Sequence, residues 1–181
     1  MPEPTERLVF PSLVDSYLKG LGPLFSAQTH QELKAAGLDI DRLPPAIPSP
    51  DMRRLIEIFA RNAWPDAERD ERLRLLGLHA IRGWQSTFLG SAAAGLMRVM
   101  GPHRTLTRLN RAFRTTNNFS EATTELLGER EALIAVNDVE DMPTYWQGVF
   151  QAGLEVLKLE GTVVIDRLEP APGATYRLTW N

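Results

Sequence analysis

Residues 119–139 read FSEATTELLGEREALIAVNDV, and the fold class turns on them. Apolar residues here do not recur at the three- and four-residue spacing of a helix. Two strand-like runs instead flank Gly128-Glu129, which can turn between them, so the stretch predicts a hairpin. Downstream, Pro143 opens a helix in which Tyr145, Trp146, Val149, Phe150, Leu154 and Leu157 repeat on one side until Gly161. After it, TVVIDRL and ATYRLTW flank the turn EPAPG, with Tyr176, Leu178 and Trp180 alternating onto one face of a second hairpin.

Upstream the period is helical. Leu13, Val14, Tyr17, Leu18 and Leu21 form one face of a helix that starts near Pro11-Ser12 and ends at Gly20 to Pro23. A second helix is expected over about 25–36, capped by Gly37. The segment DIDRLPPAIPSP holds too many prolines for a helix or an inner strand, and is expected to be an ordered surface connection. A third helix begins at Ser49-Pro50-Asp51 and ends near 62–65. A fourth is expected from Asp66 through Leu89, carrying Leu73, Leu76, Ala80, Ile81, Trp84 and Phe88. Gly101-Pro102 breaks the pattern before a basic amphipathic helix at about 102–114. The expectation is an α+β fold, with an N-terminal helical half followed by a small antiparallel sheet in the order hairpin, helix, hairpin. Residues 1–181 are expected to form a single domain.

Composition excludes several function classes. The chain has no cysteine, which removes disulfides, thiolate metal sites and cysteine nucleophiles. MPEPTERLVF lacks the basic, apolar, small-residue order of a signal peptide, and no apolar run reaches the roughly 18 residues of a membrane span. A cytoplasmic protein is the expectation. No P-loop, GxGxxG, GxSxG, HExxH or HxH pattern occurs. A non-catalytic protein without a cofactor or metal is therefore expected. The acids of VNDVEDMP (Asp138, Glu140, Asp141) lack calcium-loop spacing and precede a helix N-terminus, where they complement the helix dipole.

Three groups of residues remain as site candidates. His79, Trp84, Phe88, Trp146 and Phe150 lie on apolar faces that could wall a ligand pocket. From Arg98 to Arg114 there are five arginines and no acid; the net charge of −3 leaves −3 − 5 = −8 on the rest. Within that run Arg104, Arg108 and Arg111 stand at i, i+4 and i+7, a candidate row for an anionic ligand or an acidic protein partner. Interleaved aromatics are missing from the row, and the chain is acidic overall, so nucleic acid is not an expected partner. Finally, Gly90, Ala93 and Ala94 form part of a run of small residues at which another helix, from this chain or a second copy, could approach closely.

As a set, Leu76-Gly77, Gly83-Trp84, Thr87, Leu89-Gly90, Gly101-Pro102, Leu106, Tyr145 to Gly148 and the terminal Trp180 resemble a family of uncharacterised proteins of about 180 residues found as many paralogues in myxobacteria. More distantly, LVFPSLVDSYLKGLGPLFSAQTHQELKAAGLD is similar to the opening helices of the superfamily of haem-nitric-oxide-binding domains, four-vinyl-reductase domains and transport-particle (TRAPP) subunits. Haem-binding members use a proximal histidine followed by a Tyr-x-Ser-x-Arg signature for the propionates. This sequence lacks that signature and the cysteines of four-vinyl-reductase members. The resemblance thus implies the fold and a tendency to form homodimers, without haem. The expected function is a sensory or regulatory module that binds a small ligand or a partner protein. A dimeric protein–protein scaffold like the transport-particle subunits is the alternative.

Overall fold

The computed structural model describes residues 6–168 and 172–181. The chain opens with β1 (Leu8–Val9), α1 (Ser12–Leu21), a single 3-10 turn (Gly22–Leu24) and α2 (Ala27–Ala35). The proline-rich connection contributes only β2 (Ile47–Pro48), paired antiparallel with β1. Next come α3 (Ser49–Ala63), α4 (Arg69–Gln85), α5 (Phe88–Leu106) and the short α6 (Leu109–Phe113). The second half is β3 (Ala122–Gly128), β4 (Glu131–Val136), α7 (Pro143–Val156), β5 (Gly161–Leu168) and β6 (Ala174–Trp180). Strands β3 to β6 form one antiparallel sheet in the order β3-β4-β6-β5. The α+β class and the hairpin–helix–hairpin order are as the sequence indicates. Most of the turn expected at EPAPG (169–171) lies outside the described residues.

Alternation sets which face of the sheet is dry. Ala132, Ile134 and Val136 of β4 and Tyr176, Leu178 and Trp180 of β6 are buried, with Ile134 opposite Tyr176 in register. The other face is wet: Arg177 pairs with both Asp166 and Glu131. Helix α7 covers the dry face with Phe150 and Leu154, while its opposite side lies on α4. It therefore joins a helical core around Tyr17, Phe59, Leu73 and Leu76 to a sheet core around Ile134, Tyr176 and Leu178.

Four glycines let α4 sit against its neighbours almost backbone to backbone. A Cβ on Gly83 would lie 1.9 Å from the Ser16 carbonyl oxygen, and one on Gly20 would lie 1.9 Å from that of His79. On the other side, a Cβ on Gly77 would meet the Tyr145 carbonyl oxygen at 2.0 Å, and one on Gly148 that of Arg74 at 1.9 Å. Within the chain, close helix approach thus occurs at α1–α4 and α4–α7; for the small-residue run of α5, only an approach by a second copy is left of the expectation. There the neighbour of Gly90 is the Trp84 carbonyl, 1.9 Å from a built Cβ, in the connection from α4 to α5. Ala94 is buried and Ala93 only half-buried.

Two expected helices are divided. The helix predicted to run through Leu89 stops at Gln85, because the Ser86 and Thr87 hydroxyls donate to the Gly83 and Trp84 carbonyls. The Thr87 oxygen then accepts the Gly90 N–H and caps α5. The basic helix at 102–114 is in fact the end of α5, after a kink at Gly101 (φ 78°), followed by the separate α6. Arg108 takes non-helical angles between them (φ −108°, ψ 4°). No helix among the described residues is long and apolar enough to cross a membrane.

Candidate functional site

Helices α1, α4, α5, α6 and α7 line a half-open cavity of about 580 Å³ where the two cores meet, within the size range of small-molecule sites. Aromatic rings wall it. Trp146 stacks on Phe113 at 4.7 Å between centroids and 16° between planes, and Phe150 lies edge-on to Tyr176 at 5.0 Å. Trp84 and Phe88 stand where α4 passes into α5, and Phe88 is 88% exposed at the rim. Leu106, Leu109 and Phe113 close the side formed by the end of α5 and α6.

One corner of the cavity is polar. The Tyr17 and Tyr145 hydroxyls are hydrogen-bonded to one another at 2.7 Å. Burial raises both: Tyr17 well above its ordinary value, helped by the neighbouring Tyr145, and Tyr145 to about 12. Glu140 lines the same corner and accepts hydrogen bonds from Ser49 Oγ and Arg7 Nη2. Burial lifts its carboxyl above the usual carboxylate range, against the opposing pull of Ser49 and Arg7. The Arg7 guanidinium lies 4.3 Å over the Phe119 ring, next to Ser120, which also lines the cavity. The Asn117 side-chain carbonyl accepts the Phe119 and Ser120 N–H groups and fixes that turn.

The candidate residues divide accordingly. Trp84, Phe88, Trp146 and Phe150 line this one cavity; His79 does not. The His79 Nδ1 donates to the Gly20 carbonyl at 2.8 Å and the ring lies against Trp64, so the side chain ties α4 to α1. Arg104, Arg108 and Arg111 are exposed on the outer side of the α5–α6 turn. Because Arg108 interrupts the helix, they do not form one continuous helical ribbon. Arg108 donates to the Met100 sulfur, and Arg98 to the Val156 carbonyl. The acids of VNDVEDMP are used in ion pairs: Asp138 and Glu140 with Arg7, Asp141 with Arg53 at 3.6 Å. Sequence reading placed Tyr17 and Tyr145 on apolar helix faces but not at a site, and Phe113 falls within the basic amphipathic helix expected at about 102–114. Ser120 carried no signal, since a serine between strand and helix patterns reads as a turn residue.

A family model described as "Protein of unknown function (DUF2378)" matches residues 7–181. No curated protein matches the sequence. Among solved structures, the fold is similar to that of an oxygen-binding H-NOX domain related to soluble guanylate cyclases. The TM-score is 0.73 at 17% identity, covering 94% of each chain. An H-NOX of T. Tengcongensis carrying one substitution gives a TM-score of 0.67 at 18% identity, over 94% of this chain and 97% of that one. A structure described under modulation of haem redox potential through protein-induced porphyrin distortion gives 0.71 at 18% identity and 94% of each chain. The likeness of fold agrees with the resemblance to haem-nitric-oxide-binding domains drawn from the opening helices.

The donors around the cavity do not suit haem. No histidine or arginine lines it among the described residues. His30 bonds Asp41, His79 bonds the Gly20 carbonyl and His103 the Glu129 carbonyl, each directed elsewhere. The raised tyrosines resist ionising to phenolate ligands. Acidic propionates would meet Asp15 and Glu140 in the lining, with Lys19 at the rim as the one lining cation among the described residues. The lining is largely apolar and aromatic, with the Tyr17–Tyr145 hydroxyls, Ser120 and Glu140 at one corner.

Proposed function

The chain belongs to the DUF2378 family of unknown function, and we propose that it is a non-catalytic sensory or regulatory domain whose ligand is a small, largely apolar molecule. The observation that carries this reading is the aromatic cavity of about 580 Å³, built from Trp84, Phe113, Trp146 and Phe150 between the two cores. We take the described residues as one domain, since α7 packs in both cores at once. The relation to the H-NOX structures is one of fold. Ligand entry would act on α5, which makes few contacts with the body other than to α4 and α7, and so can shift without unfolding the cores.

Native mass spectrometry of the purified chain, with solvent extraction of what it carries, tests the reading directly. A stoichiometric organic adduct that quenches or shifts tryptophan emission on rebinding is the expected result. A sharp, one-to-one Soret band on haemin titration would overturn it.

A second reading is supported by the outer face of α5. Phe88, Leu89, Leu96 and Val99 are 88%, 77%, 60% and 85% exposed, more apolar surface than a solitary helix ordinarily shows. A homodimer formed through this stripe, or an acidic partner held beside Arg104 and Arg111, fits that face. Sedimentation velocity at micromolar concentration distinguishes dimer from monomer.

A further inference from the structure

Three buried side-chain polar atoms are left without a hydrogen-bond partner among the described residues: Arg72 Nε, Ser120 Oγ and Thr144 Oγ1. Only Ser120 also lines the cavity. Its residue is 2% exposed, so solvent does not satisfy the hydroxyl, and its backbone N–H is already held by Asn117 at 2.6 Å. A buried hydroxyl left unpaired is costly, and the lining carries a second spare donor. Of the two tyrosine protons in the Tyr17–Tyr145 pair, one closes the mutual bond and the other has no acceptor among the described residues.

We infer that Ser120 is the polar anchor of the cavity, and that the ligand is an uncharged, chain-like or ring-bearing molecule with one oxygen acceptor, a ketone, ester, lactone or ether. The inference rests on the cavity being a ligand site. Three features select a neutral acceptor. Ser120 and the tyrosine pair offer O–H donors. The arginine nearest the corner, Arg7, is taken by Asp138 and Glu140. A carboxylate or phosphate ligand at this corner would stand against Glu140, while the one lining cation among the described residues, Lys19, is exposed at the rim. The wall from Trp146 and Phe150 to Leu154 and Val156 offers only apolar contact.

The test uses the full chain, tryptophan fluorescence, and three probes of one length: methyl nonyl ketone, undecane and undecanoate. Ketone is expected to bind more tightly than undecane, and undecanoate more weakly than either. Ser120→Ala should weaken the ketone by about 3- to 10-fold, the loss of one buried hydrogen bond, and leave undecane unchanged. Because the hydroxyl is unpaired in the free chain, Ser120→Ala should melt at or above the parent temperature. Tyr145→Phe should give a further loss for the ketone alone. If undecane and ketone bind equally and Ser120→Ala changes neither, the anchor is refuted while the cavity survives as a ligand site. If none of the three binds, the cavity reading itself falls. Tighter binding of undecanoate would overturn the choice of a neutral ligand.

Discussion

Glu140 carries two unfavourable conditions at once: its backbone adopts φ 52°, and its carboxyl is buried enough to be lifted above the ordinary range. A raised native value means that the folded chain holds this proton over a window in which the unfolded chain has released it. Stability from this group therefore falls as pH rises from the ordinary carboxylate range through the raised value, and is flat above it. The substitution Glu140→Gln should flatten that slope and raise the melting temperature at neutral pH, while the amide keeps a bond to Ser49. Thermal melts between pH 4 and pH 8 check this; an unaltered slope would show that Ser49 and Arg7 fully offset the burial. Ser120 shows why single residues can escape a sequence reading. Serine is common in turns, and being unpaired is a property of its surroundings rather than of its identity. The aromatic candidates were easier, since rings at helical spacing must be buried somewhere.

Helix α4 has the tightest tolerances of the secondary structure. Ala at Gly83 or Gly148 would gain helix propensity of up to about 1 kcal/mol, yet its methyl would fall 1.9 Å from a backbone carbonyl oxygen of the facing helix. Backbone cannot step aside as a side chain can, so Gly83→Ala and Gly148→Ala should each destabilise by roughly 3 kcal/mol. Gly95→Ala is the control: it lies within α5 with nothing within 4 Å of its Cβ, and should stabilise by about 0.5–1 kcal/mol. Urea unfolding curves would separate the two directions. This contrast also explains the misplaced expectation at 90–95. Small residues permit close approach but do not require it, and two glycines spaced apart in LGLHAIRGW, Gly77 and Gly83, carry a weaker sequence signal than a run of alanines. The break at Ser86-Thr87 was missed because apolar spacing continues across it. What ends α4 is a pair of hydroxyl-to-carbonyl bonds, which compete with the helix ladder without disturbing the apolar pattern.

For the protein taken entire, ligand binding and folding are one equilibrium. A probe that enters only the folded cavity should stabilise the chain by about 2.7 kcal/mol at a hundred times its dissociation constant, observed as a concentration-dependent rise in melting temperature. The gain should vanish in Trp146→Arg, which would put a charge into the stacked Phe113–Trp146–Phe150 wall. If oligomerisation through α5 operates as well, Leu96→Ser with Val99→Ser, both exposed and outside the cavity lining, should lower the sedimentation coefficient of the parent chain without altering probe affinity. Phe88 and Leu89 are the residues at which the two readings meet, as both line the cavity and belong to the exposed stripe.

The class of fold was legible in the chain alone, because the switch from helical spacing to alternation after Phe119 follows from which face of each element must be dry. So were the boundaries set by proline and glycine, as at Pro143, Gly37 and Gly101, since those depend on local backbone sterics. It took the packed molecule to bring Trp84, Phe113, Trp146 and Phe150 around one space, to direct the histidines away from it, and to leave one serine hydroxyl without a partner. These are relations between residues far apart in the chain, set by how α4 and α7 pack, and periodicity records a buried face without recording what lies against it.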